Sequence, residues 1–176
     1  MRIISGTHKG RTIKVAPGLP VRPTTDFAKE ALFNILNNRV DYEGLQVLDL
    51  FCGTGNISFE FASRGAKVTG VDMHFKCVSF VQSEAQKLKL DSISVIKADV
   101  FKFVSQKGKG YDLVFADPPY DTDQYPNLHK SIIENGFLNE GGLLIIEHSK
   151  KTNFEGAELF TETREYGNVN FSFFHM

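Results

Sequence analysis

The stretch LQVLDLFCGTGNISFEFASRG, residues 45–65, decides the fold. A short apolar run leads into a turn with two glycines, and a helical segment follows and ends at Gly65. A strand that passes directly into a helix is the repeating unit of α/β domains. Gly53 and Gly55 permit a tight turn and a close approach of a ligand to the backbone. We therefore predict a strand at 45–50, a ligand-accessible loop and a helix at 56–65.

The same alternation continues along most of the chain. Strands are predicted at 67–72, 93–99, 111–117 and 142–148, with helices at 75–89, 100–105 and 125–137. Near the C-terminus, two strands joined at Tyr166–Gly167–Asn168 indicate a hairpin. The sequence thus predicts an α/β fold, a doubly wound, Rossmann-like arrangement. Its mixed seven-stranded sheet has a parallel body and an antiparallel C-terminal hairpin.

Residues 1–25, called the basic arm below, differ from the rest of the chain. They are predicted to form a small β element and a Pro/Gly-rich connector before a helix that Thr25 or Asp26 caps. The arm carries a charge of +5, whereas residues 26–176, predicted to be a single domain, carry −6. A basic arm on an acidic body suggests a polyanionic partner, and a solvated surface hairpin is the alternative.

Each of four predicted strands ends in a carboxylate, at Asp49, Asp72, Asp99 and Asp117. The carboxyl ends of parallel strands meet at one edge of the sheet, where ligands of such folds bind. Asp72 lies where an acid accepts the hydroxyl groups of a ribose. Asp99 could accept from an adenine amino group, cap the helix that starts at Val100, or do both. These positions favour an adenosine-type ligand.

Two observations separate a dinucleotide from S-adenosyl-L-methionine. The third glycine of the dinucleotide pattern is replaced by Ser58, so that pattern is incomplete. Asp49 stands at the base of the loop, where uncompensated negative charge disfavours a pyrophosphate. The same charge suits the cationic sulfonium and ammonium groups of S-adenosyl-L-methionine. The sequence therefore favours the methyl donor.

The fourth strand ends in Asp117-Pro118-Pro119-Tyr120. Methylation of an aromatic amino group needs acceptors for its N–H groups, so that the nitrogen lone pair points at the methyl carbon. Asp117 offers an oxygen, Pro118 offers a carbonyl whose direction Pro119 fixes, and Tyr120 offers a face for base stacking. A strand-terminating turn is the alternative for the motif in isolation. Beside the other three strand ends, it predicts a catalytic site for amino-group methylation.

Several segments together resemble the bacterial 16S rRNA (guanine-N2)-methyltransferases of the RsmD type, which are class I S-adenosylmethionine-dependent enzymes. They are RIISGTHKGRTIKV, GLPVRPTTDFAKEALFNIL, LDLFCGTGNISFEFASRG, FADPPY and IEHS. The resemblance implies a class I methyltransferase fold with S-adenosyl-L-methionine as cofactor and a guanine N2 amino group as acceptor. The cofactor residues would be Asp49, Phe51, Gly53, Gly55, Asp72, Met73, Asp99 and Val100. The RNA-binding residues would be Arg2, His8, Lys9, Arg11, Lys14, Arg22, Thr24 and Thr25.

The expected partner is 16S rRNA or a small-subunit particle, bound by a monomer. A cytoplasmic protein without membrane segment, metal site or disulfide framework is expected. Four alternatives stay open, namely a DNA adenine-N6 methyltransferase, a protein glutamine methyltransferase, a Rossmann oxidoreductase and a non-catalytic RNA-binding protein on the same fold. The absence of room for a target-recognition segment argues against the first, the basic arm against the second, and Ser58 with the Asp-Pro-Pro-Tyr motif against the third. The intact motif argues against the fourth.

Overall fold

The computed structural model describes residues 1–15, 17–19, 25–120 and 122–176. The described helices are α1 (Asp26–Leu36), α2 (Asn56–Ser63), α3 (Phe75–Leu88), α4 (Val100–Val104) and α5 (Tyr125–Glu134). The strands are β1 (Gln46–Leu50), β2 (Lys67–Asp72), β3 (Ile93–Lys97), β4 (Tyr111–Ala116), β5 (Leu138–His148), β6 (Phe160–Tyr166) and β7 (Val169–His175). The predicted order of elements is confirmed.

The seven strands form one sheet in the order β3-β2-β1-β4-β5-β7-β6. Strands β1 to β5 pair in parallel, and β7 pairs antiparallel with both β5 and β6. The order reverses at β1, which lies between β2 and β4. Ligands of doubly wound folds bind at such a reversal, beyond the carboxyl ends of the strands. The predicted mixed sheet and its C-terminal hairpin are confirmed.

Alternating residues of β1 serve two separate cores. Val47 packs with residues of α1, α2 and α3, whereas Leu48 and Leu50 pack with residues of α4 and α5. A strand that is covered on both faces has an almost continuous run of apolar residues, and β1 has this pattern. Asp49 interrupts the run, and its carboxyl group is buried near the carboxyl end of this central strand.

Strand β5 begins at Leu138, four residues before the predicted start at Gly142. Its pairing with β4 shifts register between Tyr111 and Leu113, which face Leu138 and Leu143 respectively. Gly141 has a φ of 73°, a value that favours glycine, and it lies within this irregular stretch. The prediction missed the first part of the strand because the bulge interrupts the apolar pattern.

The first 15 residues of the basic arm are described and include a chain reversal. An isolated antiparallel bridge joins Arg2 and Thr12, and Ile3 N donates to Arg11 O at 2.9 Å. The arm is fixed to α2, because the buried carboxylate of Glu60 accepts from Ile4 N at 2.7 Å and from Ser5 N at 3.1 Å. The position of the arm therefore depends on a polar residue in the middle of a core helix.

Among the described helices, none has the length and apolar character that crossing a membrane requires.

Candidate active site

A cavity of about 610 Å³ opens at the carboxyl edge of the sheet. It lies at the ends of β1, β2 and β4, where the strand order reverses. Its volume falls in the usual range for small-molecule sites. The described residues that line it are Thr25, Asp49, Phe51, Cys52, Gly53, Thr54, Asn56, Ile57, Asp72, Met73, His74, Asp99, Val100, Phe101, Phe115, Asp117, Pro118, Pro119, Tyr120, Gln124, Glu147 and Val169.

The glycine-rich loop between β1 and α2 forms one wall of the cavity. Phe51, Gly53 and Gly55 all have positive φ, at 61°, 52° and 76°. Gly55 N donates to Cys52 O at 2.7 Å, which closes the turn before α2. Gly55 does not line the cavity, and a Cβ at this position would lie 3.0 Å from Phe59 and Val81. The structure thus gives Gly55 a role in packing the turn, whereas Phe51 and Gly53 reach the cavity.

Asp49 is a buried carboxyl group, 2% exposed, at the base of the cavity. Its Oδ2 accepts from Ser58 Oγ at 2.5 Å, so the residue in place of a third glycine supports the acid. Burial raises the pKa of Asp49 to about 7, the hydrogen bond from Ser58 lowers it, and the charge of Asp72 raises it further. The group therefore changes its charge near neutral pH, and a cation in the cavity would favour the ionised form.

Asp72 orients the glycine-rich loop from the end of β2. Its Oδ2 accepts from Gly53 N at 2.9 Å, and its Oδ1 accepts from His74 N at 2.8 Å. Each carboxylate oxygen has two acceptor positions, so these bonds leave capacity toward the cavity that Asp72 lines. Asp72 can thus fix the loop and accept from a ligand at the same time.

The end of β3 supplies the opposite wall. Asp99 caps α4, since its Oδ1 accepts from Lys102 N at 3.1 Å, and both Asp99 and Val100 line the cavity. Phe101 lies beside them and packs edge-on against Phe51, with ring centroids 5.5 Å apart. Neither ring is fully buried, and both line the cavity together with Val100. Phe101 was not among the predicted site residues.

The Asp-Pro-Pro-Tyr segment follows β4 and faces the same cavity. Asp117 N donates to Leu50 O at 3.3 Å, which fixes the segment to the end of β1. Tyr120 Oη donates to Glu147 Oε1 at 2.8 Å, and Glu147 is a buried carboxylate on β5. Glu147 was not among the predicted site residues. The available signal was a carboxylate near the end of a predicted buried strand, within the segment IEHS.

The predicted RNA-binding residues from Arg2 to Lys14 do not line the cavity. Arg2, Lys9, Arg11 and Lys14 are exposed, and Arg2 forms a salt bridge of 3.1 Å with Glu30. His8 is half-buried, with Nε2 2.7 Å from Leu88 O and Nδ1 2.9 Å from Thr7 Oγ1, so the protein itself occupies both ring nitrogens. Thr25 lines the cavity and caps α1. Two predicted residues, Arg22 and Thr24, lie outside the described residues.

Lys29 connects the arm to the cavity and was not predicted. Its ammonium group is almost fully buried, with 1% of the residue exposed. Nζ donates to Arg2 O at 2.5 Å and to Asn56 Oδ1 at 2.7 Å, and Asn56 lines the cavity at the start of α2. Burial lowers the pKa of Lys29 below its ordinary value, and the charge of Glu60 opposes that shift.

The sheet order, the glycine-rich loop and the four strand ends define the Rossmann-like fold of S-adenosylmethionine-dependent methyltransferases. A protein of that class from Aquifex aeolicus superimposes with a TM-score of 0.65 and 18% identity, covering 82% of this chain and 88% of that chain, which shows the fold alone. A hypothetical protein of Thermus thermophilus superimposes with a TM-score of 0.84 at 25% identity, covering 100% of this chain and 99% of that chain.

The family model described as "Conserved hypothetical protein 95" matches residues 1–175, and the chain belongs to this family, which is the RsmD family. The Haemophilus influenzae protein named ribosomal RNA small subunit methyltransferase D is 31% identical over 170 residues, covering 94% of this chain and 87% of that protein. The family resemblance drawn from the sequence segments is confirmed.

Proposed function

We propose that this protein transfers the methyl group of S-adenosyl-L-methionine to the N2 amino group of a guanine in 16S rRNA. One observation carries the proposal. Asp117, Pro118, Pro119 and Tyr120 share a single cavity with the acids Asp49 and Asp72. Amino-group acceptors and a cation-compatible loop are thereby joined in one site. The family membership and the name of the Haemophilus influenzae relative support rRNA as the substrate.

The described residues fit S-adenosyl-L-methionine. Asp49 and the backbone of Gly53 would face the methionine end, Asp72 would accept from the ribose, and Asp99 with Val100 would hold the adenine. Phe51 and Phe101, which line the cavity, would contact its ring. When bound, the cofactor supplies a methyl group activated by a sulfonium. Matching charge supports the fit, since the buried acid Asp49 would lie beside the cationic methionine end of the ligand.

The residues after β4 would prepare the acceptor nitrogen. Asp117 and the Pro118 carbonyl would accept hydrogen bonds from the two N–H groups, so that the nitrogen lone pair is directed away from the ring plane. Asp117 would then take the proton that the nitrogen loses. Tyr120 would stack the guanine, with its own ring fixed by the bond to Glu147. Holding reactants in such a geometry accounts for a large part of the rate enhancement in many enzymes.

The target base must leave its stack to reach this cavity. Arg2, Lys9, Arg11 and Lys14 are exposed on the arm and would contact rRNA phosphates, which position the substrate without reading its sequence. The arm is fixed to α2 by Glu60, so these charges keep a constant position relative to the cavity. Arg22, Thr24 and Thr25 are also proposed to contact RNA.

One experiment tests both the reaction and the substrate. The protein is incubated with radiolabelled S-adenosyl-L-methionine and, separately, with 16S rRNA, small-subunit particles, DNA and total protein from cells that lack the gene. We expect label in the rRNA or the particles, at the N2 position of one guanine. Label only in DNA or protein, or at another position of the base, would overturn the proposal.

Two variants connect the reaction to the site. Asp117→Asn should reduce methyl transfer by at least about a hundredfold, while cofactor binding, measured by calorimetry, stays close to that of the wild type. Asp91→Asn, which changes an exposed acid between α3 and β3, is the matched control and should transfer methyl groups normally. Full activity of Asp117→Asn would remove Asp117 from the mechanism.

A further inference from the structure

A second cavity, of about 520 Å³, lies between helix α1 and the sheet-edge strand β6. We call it the α1–β6 groove. One side is a face of α1 on which Phe27, Ala31 and Asn34 follow one another at helical spacing, and Asn38 follows just after the helix. The other side carries Arg164 and Tyr166 of β6. No step of the proposed methyl transfer uses this groove.

The groove begins beside the mouth of the active-site cavity. Phe27 lies two residues after Thr25, which lines that cavity. Tyr166 pairs in the hairpin with Val169, which also lines it. The rings of Phe27 and Tyr166 meet edge-on with centroids 6.3 Å apart. An extended ligand that leaves the active site would therefore pass these two aromatic residues as it enters the groove.

Phe27 is 66% exposed, which is unusual for a phenylalanine in an ordered helix. Its ring has one edge contact with Tyr166, and most of its surface is in contact with solvent. An exposed aromatic face at the mouth of a site is suited to stacking with a nucleobase. The position of Phe27 thus points to a ligand with planar groups.

The polar residues of the groove favour a negatively charged ligand. Arg39 and Arg164 both pair with the carboxylate of Glu162, so two guanidinium groups share one negative charge. The bond from Arg39 holds the pKa of Glu162 below its ordinary value, which keeps this arrangement at a net charge of +1. Glu30 also lines the groove, and its charge is balanced by Arg2 of the basic arm, which pairs with it at 3.1 Å.

We propose that the α1–β6 groove binds the single-stranded RNA next to the target guanine. Phe27 and Tyr166 stack a flanking base, and Arg164 with Arg39 contacts the phosphates that follow. This inference rests on the proposed function, since it assigns the path of the same RNA substrate. Aromatic rings, guanidinium groups and side-chain amides together are typical of single-stranded nucleic-acid sites.

The first test measures methyl transfer and binding with 16S rRNA from cells that lack the gene. Phe27→Ala should weaken RNA binding and raise the KM for RNA about tenfold, because one stacked base is lost. Arg164→Gln should also weaken RNA binding and reduce its salt dependence. The affinity for S-adenosyl-L-methionine should not change in either variant.

Two matched controls come from the same chain. Phe75 is also 66% exposed but lies on α3, and Lys130 is an exposed cation on α5. Phe75→Ala and Lys130→Gln should bind RNA like the wild type. If Phe27→Ala and Arg164→Gln also keep the wild-type KM while the wild type methylates rRNA, the groove proposal is overturned and the proposed function stands. If the wild type methylates no rRNA, both are overturned.

A second test separates RNA from a protein occupant. A photoreactive phenylalanine analogue is placed at position 27 of the full chain, which is then irradiated with small-subunit particles. Cross-links to rRNA support the proposal. Cross-links to a ribosomal protein alone would overturn it and assign the groove to a protein contact.

Discussion

The Lys29 ammonium group lies 2.7 Å from Asn56 Oδ1 and thereby joins helix α1 to the first residue of α2, directly after the glycine-rich loop of the active-site cavity. The same ammonium group donates to Arg2 O at 2.5 Å. The bond to Asn56 is buried and the bond to Arg2 is partly buried, and hydrogen bonds shielded from water are strong and costly to remove. Lys29 therefore connects the proposed RNA arm with the proposed cofactor loop through a single atom.

Replacement of Lys29 by methionine keeps an unbranched side chain, one atom shorter, and removes both hydrogen bonds. We expect the free energy of unfolding to fall by about 1–3 kcal/mol, because one buried and one partly buried acceptor lose this donor. Binding of S-adenosyl-L-methionine should weaken about fivefold or more, since Asn56 loses its orientation. Thermal unfolding and calorimetric titration measure the two effects. Lys130→Met, at an exposed position, is the control. Cofactor binding at wild-type affinity would limit Lys29 to a structural role.

The pKa of Asp49, raised to about 7 by burial, makes cofactor binding depend on pH. The group is mostly neutral at about pH 6 and mostly ionised at about pH 8, and only the ionised form attracts a cation. The affinity for S-adenosyl-L-methionine should therefore rise as the pH increases between these values, by up to about tenfold.

Asp49→Asn tests that assignment, because it keeps an acceptor for Ser58 and removes the titration. The variant should bind S-adenosyl-L-methionine more weakly at about pH 8 and show little change in affinity down to about pH 6. Titration calorimetry in buffers of different ionisation enthalpy would also report the proton released on binding to the wild type. An unchanged pH dependence in Asp49→Asn would place the titrating group elsewhere.

The hydrogen bond between Tyr120 and Glu147 predicts the effect of two further substitutions. Tyr120→Phe keeps the stacking face and loses the bond, so kcat should fall about tenfold with a smaller change in the KM for RNA. Tyr120→Ala also loses the stacking surface, and the KM should rise about tenfold as well. Steady-state methyl transfer on rRNA separates the two constants. Equal losses in both variants would mean that the bond to Glu147, and not the ring face, is the important contribution.

Neutralisation of the exposed arm tests its role in RNA binding. Lys9→Gln together with Arg11→Gln should reduce the slope of the logarithm of RNA affinity against that of salt concentration by about 1–2. Affinity for other RNA sequences should fall in parallel, since phosphate contacts carry no sequence information. Lys87→Gln with Lys130→Gln, on exposed faces of α3 and α5, is the charge-matched control. An unchanged slope in the arm variant would exclude Lys9 and Arg11 from the interface.

Local sequence patterns predicted the frame of the site because the relevant signals are local. An apolar strand followed by a turn and a helix is visible in any short window, and Asp49, Asp72, Asp99 and Asp117 each end such a strand. Because the strands are parallel, these ends meet at one edge of the sheet. The structure places all four around one cavity.

Contacts between distant parts of the chain were not predictable in this way. A lysine on an amphipathic helix is expected to face solvent, but the burial of Lys29 depends on arm residues that lie over it. His8 reads as a phosphate ligand, yet its ring bonds to Leu88, 80 residues away. Gly55 was predicted to face the ligand, whereas Phe59 and Val81 lie close to the position that a side chain there would occupy. Each of these outcomes depends on tertiary packing.

The attachment of the arm to Glu60 has a consequence for the kinetics of RNA encounter. Hydrogen bonds from Ile4 N and Ser5 N, and a close approach of Gly6 to the Ser63 carbonyl, order this segment when the protein folds. The conformational entropy of its backbone is therefore lost before RNA arrives. Segments that fold only on contact lose that entropy during association and bind more weakly for their area. Because this segment is ordered before RNA arrives, it presents its charges in the bound geometry at each diffusional encounter.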